Sequence, residues 1–166
     1  MTETRNISTS HPSRFRLVFP FLDFLSPTEK GEDLILYCSE AQLPGITLDV
    51  IPIETPYFDL KEPSNKINFD DLILTYSIDE LFTNYTLILN WLQYIKNPER
   101  YEVKNQKVDA TLMIYSNNNN PKVQVTFKNI FPIAIEPINF DKKIDDIEDL
   151  ENTVTFAVES FFIRED

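Results

Sequence analysis

Residues 67–95, INFDDLILTYSIDELFTNYTLILNWLQYI, pass from a period of two to a period near 3.6 with neither Gly nor Pro between. Ile67, Phe69, Leu72, Leu74, Tyr76 and Ile78 are apolar. Asp70 and Asp71 break the phase, and from Leu72 onward the alternation is strict, as a strand with one wet face requires. Ser77 and Glu80 have the S-x-x-E spacing of a capping box, in which the hydroxyl accepts from an orphan helix N–H and the carboxylate reaches back. Tyr76 and Leu81 occupy the staple positions beside it. The spacing therefore predicts a helix over residues 80–96. Leu81, Tyr85, Ile88, Leu92 and Ile95 form its apolar stripe, with Leu89 beside it and Trp91 at its edge. Pro98 stops it, because the residue before a proline avoids the helical region. The segment reads as a strand, a cap and an amphipathic helix lying on a sheet.

Most of the remaining chain is strand-like. RFRLVFPFLDFL (14–25) is a strand broken at Pro20, since proline cannot donate to a ladder. EDLILYCSEAQLPGITLDVIPIE (32–54) gives two strands around Pro44 and Gly45, a pair suited to a tight reversal. ETPYFDLKEPSNK (54–66) reads as a long irregular loop, the kind that is usually functional inside a compact domain. ATLMIYS (110–116) and KVQVTFKN (122–129) flank NNNNP (117–121), a hairpin signal because Asn tolerates the left-handed region. TVTFAVESFFI (153–163) alternates as one strand. Residues 1–13 lack apolar periodicity and form a flexible or partner-ordered arm, leaving 14–166 as a single domain. About seven strands and one helix imply a mainly β (α+β) fold, a β-sandwich or partly closed barrel with one flanking amphipathic helix.

Chemistry is excluded more readily than it is found. The chain has two glycines, Gly31 and Gly45, too few for a dinucleotide fingerprint or a phosphate-cradling loop. The lone His11 lies in a polar segment and the lone Cys38 in the apolar run LILYCS, so neither a triad nor a metal site has its partners. Cys38 reads as a core thiol. The pairs Asp70/Asp71, Asp79/Glu80 and Asp145/Asp146 invite a dyad, but neighbours on a strand point to opposite faces. DKKIDDIEDLEN (141–152) lacks calcium-loop spacing and reads as a solvated acidic loop or short helix. The expectation is a protein that is not an enzyme, with no catalytic residue, cofactor or metal. No apolar run approaches the roughly 18 residues of a membrane span, so neither membrane insertion nor secretion is expected. The sequons at Asn6 and Asn84 are then chance matches. The net charge is −12, and residues 141–166 hold nine acids against three bases. That balance opposes wrapping of duplex DNA, where Lys and Arg must replace counterions; it is compatible with a surface past which DNA slides and equally with an acidic protein whose charge merely keeps it dispersed.

In order along the chain, LILYCSEAQLPGITLDVIPIETP, the 67–95 stretch, KVQVTFKNIFPIAIEPINF and NTVTFAVESFFI resemble the tail-tube proteins of contractile-tailed bacteriophages. The matching features are the LPGI turn, the F-D-D-L start of the strand before the helix, the helical NWL, the F-P pair and the closing VTF strand. They span residues 14–163. The resemblance implies a non-enzymatic structural protein without cofactor. Its subunits would assemble as hexameric rings that stack into a tube in the virion, after synthesis in the host cytoplasm. Its partners would be itself and other tail proteins: sheath, baseplate hub or terminator. DNA would pass through without specific binding. The same fold serves tube initiators, baseplate hubs and terminator rings, which are the alternative within the class. A carbohydrate- or protein-binding β-sandwich is the rival outside it and would need a cluster of exposed aromatics. On the tail-tube reading, Tyr57, Phe58 and Leu60 are subunit-interface candidates. Glu40, Asp49, Asp70, Asp71, Asp79 and Glu159 are the lumen-facing candidates, since like charge repels phosphate.

Overall fold

The strict alternation from Leu72 is the alternation of a barrel wall: Leu72, Leu74 and Tyr76 are buried while Ile73 is exposed and Thr75 half-buried between them. The computed structural model describes residues 14–20, 34–96, 106–115, 121–140 and 150–165. Among them are β1 (Arg14–Phe19), β2 (Leu34–Gln42), β3 (Ile46–Ile53), β4 (Leu60–Phe69), β5 (Leu72–Ser77), α1 (Thr83–Lys96), β6 (Val108–Tyr115), β7 (Pro121–Ile135), β8 (Glu151–Ala157) and β9 (Ser160–Glu165). The N-terminal arm, the four asparagines, Pro98 and most of the 141–152 acidic run lie outside the described residues.

β6, β1, β2, β5, β8 and β7 pair in that order, and β7 returns to β6, closing a six-stranded antiparallel barrel with β9 added on the outside of β7. Closure removes the edges that an open sheet would leave. β3 and β4 pair only with each other. The turn at Pro44 and Gly45 thus does not fold β3 back on β2; it directs the chain out of the barrel. The predicted irregular loop over 54–66 is also corrected. From Leu60 onward it is the return strand of a hairpin, with Ile53 opposite Leu60 and Ile46 opposite Phe69. Pro63 and the Ser64-Asn65 pair hid that strand, because proline and polar small residues read as loop when the partner strand is not in view.

TVTFAVESFFI is not one strand but two. β7 takes β9 along Val123–Lys128 and β8 along Phe131–Ile135, and the exchange falls at Asn129, whose φ of 52° is left-handed. Asn accepts that region at little cost. The partner chain turns at the same place, between Ala157 and Ser160.

The helix starts later than the capping box predicts. Ile78 N–H donates to Leu150 O at 2.7 Å, extending the β5–β8 ladder, and a turn then closes with Phe82 N–H on Asp79 O at 2.9 Å. Buried Asn84 organises this entry instead of Ser77 and Glu80. Its Nδ2 donates to Ser77 O at 2.9 Å, and its Oδ1 accepts from Tyr85 N–H at 2.8 Å. The buried face is therefore Asn84, Ile88, Trp91 and Tyr94. Leu81 lies before the helix and is 87% exposed, while Tyr85, Leu92 and Ile95 are half-buried. Trp91 is wholly buried, its ring 5.7 Å from Phe19 and 6.1 Å from Phe156, and its indole N–H donates to Gln106 O at 3.0 Å. An apolar ring in the core with its polar tip satisfied is what makes a buried Trp stabilising.

Inside the barrel Tyr76 and Asn152 lie opposite each other on β5 and β8, and the Tyr76 hydroxyl and Asn152 Oδ1 have no hydrogen-bond partner among the described residues. Burial pushes the Tyr76 phenol up, with Tyr85 and Asp79 adding to it. Cys38 is half-buried against the core, its thiol donating to Leu36 O at 3.3 Å and raised to about 11 by burial.

Two outcomes follow for thermal or chemical denaturation. Trp91→Ala should cost about 3–5 kcal/mol and Ile88→Ala about 2–5, whereas Leu81→Ser should stay within about 0.5. Tyr76→Phe removes an unsatisfied donor and should leave the midpoint unchanged or raise it; a clear loss would mean that the hydroxyl has a partner.

Candidate assembly surface

The β3–β4 hairpin is an arm, and its composition is that of an interior rather than a surface. Ile46, Leu48, Val50, Ile51, Ile53, Tyr57, Phe58, Leu60 and Ile67 are all exposed, from 37% at Ile53 to 91% at Tyr57. Contiguous exposed apolar area on this scale marks a surface that another molecule covers. By alternation Ile46, Leu48 and Val50 share one face, and in register they meet Phe69, Ile67 and Pro63. Phe69 anchors the root of this face, its ring 5.7 Å from Phe161 of β9. The opposite face is polar near the root, with Asn68 Nδ2 donating to Asp49 Oδ1 at 2.8 Å and Lys66 ion-paired to Asp49 at 3.7 Å, and turns apolar toward the tip at Ile51, Ile53 and Leu60.

The arm's edges are guarded. Pro52 pairs with Lys61 and Pro63 with Val50, and a proline can occupy a hairpin only with its nitrogen turned away from the partner strand. Each outer edge thus lacks a donor in its distal half, which blocks strand addition there and leaves side chains as the means of contact. At the tip the Thr55 hydroxyl accepts from Phe58 N–H at 3.2 Å and donates to Phe58 O, fixing the turn that holds Tyr57 out. At the root Asp70 N–H donates to Gly45 O at 3.0 Å, and a Cβ on residue 45 would stand 2.5 Å from Asp70 Oδ2, so a larger residue there would have to turn the Asp70 carboxylate aside.

Of the interface candidates, Tyr57 and Phe58 lie in the tip and Leu60 begins the return strand, and all three are exposed, not folded onto the chain's own core. The lumen candidates do not converge on one surface. Asp49 is bonded within the arm, and Asp70 and Asp71 lie at its root. Asp79 is at the far end of β5, where Asn84 Nδ2 reaches it at 3.3 Å. Glu159 accepts from Asn129 Nδ2 at 2.8 Å and pairs with Lys107 at 3.6 Å. Glu40 alone lies on the barrel's outer wall, opposite Thr75. That wall, over β2, β5 and β8, carries Tyr37, Gln42, Ile73, Thr75, Thr153 and Thr155 with Glu40 and Glu151, and no Lys or Arg projects from these three strands. Thr75 and Thr153 share a hydroxyl contact of 2.9 Å. Sequence reasoning missed the exposed face of Ile46, Leu48, Val50 and Ile67. Its signal was ITLDVIPI, apolar at both parities, which excludes an ordinary half-buried strand.

A second cluster pins the β7 exchange point. Asp109 bridges Lys128 through Oδ2 and accepts Asn129 N–H at 3.1 Å through Oδ1, next to the Asn129–Glu159–Lys107 chain of contacts. Burial works to raise the Asp109 carboxyl, but the Lys128 and Asn129 hydrogen bonds outweigh it and hold it below its ordinary 3.8. No group of three His, Cys, Asp or Glu side chains among the described residues could hold a metal ion. No helix among them is long and apolar enough to cross a membrane.

A closed barrel with an exposed apolar arm has the features of a subunit that packs against another molecule. The chain belongs to the phage tail tube protein family, whose model matches residues 10–164. It is a structural component of a phage or phage-like tail. Three solved structures share its fold. A chain of the anti-feeding prophage baseplate, 6-fold symmetrised, is 17% identical with a TM-score of 0.64, covering 98% of each chain. One from the anti-feeding prophage tube-terminating cap is 15% identical with a TM-score of 0.65 over 100% of both. One from the sheath/tube terminator of the PVC extracellular contractile injection system is 15% identical with a TM-score of 0.65, over 95% of this chain and 99% of that one. No curated protein matches the sequence.

The Asp109 cluster gives a pH test. A carboxyl held low in the folded state contributes stability that is present above its unfolded value and lost as pH falls through the folded one. Asp109→Asn should therefore lower the denaturation midpoint at pH 7 and show a smaller further loss than the parent on acidification below about pH 4.

Proposed function

We propose that the protein forms closed rings, six subunits to a ring, that stack as the tail tube or as a ring at its end and conduct the genome. The observation that carries this reading is the arm. An isolated monomer leaves its apolar face in water, and a second copy of the same chain is the partner that a tube supplies in stoichiometric amount. Contacts between unlike patches of identical subunits close into a ring when the rotation permits, and the 6-fold baseplate relative supports six. Tyr57, Phe58 and Leu60 then contact another chain, in the same ring or the next. The subunit is a conduit wall and not an enzyme, and its partners beyond itself are other tail proteins.

The β2–β5–β8 outer wall is the surface we assign to the lumen. It offers neutral side chains, Tyr37 and Ile73 among them, with the Glu40 and Glu151 carboxylates, so a polyanion meets repulsion and no cation from these strands to hold it. Synthesis in the host cytoplasm follows from a tail component assembled before release.

Negative-stain microscopy with size-exclusion chromatography tests the first claim. The parent should give rings or tubes, long tubes marking a main tube subunit and single rings an end piece. Tyr57→Ser with Phe58→Ser should leave a folded monomer that no longer assembles; normal assembly, or collapse of the monomer, would refute the arm's role. The second claim predicts that Glu40→Lys with Thr153→Lys gives assemblies that retain DNA at low salt and release it as salt rises, whereas the parent retains none.

A further inference from the structure

An interface between unlike patches needs a donor surface and a receiving surface on every chain. The donor is the arm tip, where the Thr55 turn holds Tyr57 and Phe58 outward between the exposed carboxylates Glu54 and Asp59. The receiving surface must be apolar or aromatic and must carry positive charge. β9 meets both conditions. It is the one strand of the seven-stranded sheet with a neighbour on one side only. Phe161 turns toward the Phe127 ring at 5.8 Å, so Phe162 and Arg164 point to the opposite, outer face. There the Arg164 guanidinium stands 5.0 Å from the Phe162 ring centre and the Lys128 ammonium 5.9 Å from it. Lys128 is already bridged to Asp109, but no carboxylate pairs with Arg164 among the described residues.

One other apolar cluster competes. Phe82, left-handed at φ 56°, stacks with Tyr85 and with Phe140, which is 75% exposed, and Leu81 lies beside it. Among the described residues no cation stands over its rings, while the exposed Asp79 and Glu80 beside it have the sign of the tip, and like charges brought together across an interface are strongly unfavourable. Arg164 has the opposite sign, and a guanidinium stacked on an aromatic ring can take a carboxylate and a second ring together.

We propose that the Tyr57–Phe58 tip of one copy seats on Phe162 and Arg164 of β9 in a second copy, with Glu54 and Asp59 neutralising Arg164. This rests on the self-assembly proposed above and names its contact. The tip supplies rigid aromatics that lose little freedom on binding, and β9 supplies the charge that fixes the register.

Charge exchange tests it. Arg164→Glu and, separately, Glu54→Lys with Asp59→Lys should each remain folded by circular dichroism yet need at least tenfold higher concentration to form rings. The chain carrying all three changes should assemble as the parent does. So should an equal mixture of the two defective proteins, because each then offers the surface that the other lacks. Assembly of either defective protein at the parent's concentration, or a mixture that stays monomeric, would overturn the assignment while leaving self-assembly standing. A parent chain that itself forms neither rings nor tubes would overturn both. Should Arg164→Glu fail to fold, the arm variant, altered only at exposed side chains, decides the matter alone by assembling or not.

Discussion

The backbone pairing of β6 with β7 is the interaction on which the rest of the molecule depends. It closes the barrel and commits one edge of β7, so β8 and β9 must share the other. A straight strand cannot serve both, and the left-handed Asn129 is where β7 bends to do so. Asp109 holds that bend from β6, binding the Asn129 amide with one oxygen and Lys128 with the other. Because the wall is closed there, the chain's open strand edges are displaced to β9 and to the arm, which are the places where another molecule can attach.

Closure also separates two sets of energies. Leu17, Phe19, Leu74, Trp91 and Phe156 fill a core that the arm does not enter. The arm's apolar residues therefore contribute little to the monomer. Each large side chain transferred out of water is worth about 1.5–3 kcal/mol, so several together can offset an association cost of roughly 4–15 kcal/mol. The residues that fill the core and those of the exposed apolar surface are in this way different residues of one chain. The guarded arm edges and the charge of −12 act in the same direction, against aggregation by strand addition.

What the sequence made legible was the wall. Leu72, Leu74 and Tyr76 alternate because one face of β5 is core, and that constraint is local enough to read. The tail-tube resemblance, carried by the order of several short motifs, held over nearly the whole chain. The helix was placed but turned by about one residue. Its apolar side chains surround much of the cylinder, and the deciding residue was a buried polar one, Asn84, whose bonds to Ser77 and Tyr85 no periodicity reveals. The arm was split into a strand and a loop for a different reason. Pro52 and Pro63 argue against strand on any single-strand criterion, and only the pairing shows that both sit with their nitrogens outward. The acidic candidates were scattered for a third reason: a carboxylate's face depends on bulges, such as the one between Cys38 and Glu40, that shift parity without a mark in the residues.

The contact between Gly45 and Asp70 has a mechanical meaning. It links the end of the β2–β5 ladder, at Gln42 and Ile73, to the start of the β3–β4 ladder, at Ile46 and Phe69, so the arm extends from the barrel wall as a lever from its pin. A strand of eight residues reaches about 26 Å, and a tilt of about 5° at the pin displaces the tip by about 2 Å, a large fraction of an atomic contact. With glycine at 45 the Asp70 carboxylate lies close to this joint without a clash, and the Asp70 amide bonds across it. In a ring built as proposed above, a small change of angle at this joint would be magnified at the tip, where the contact with the next subunit lies.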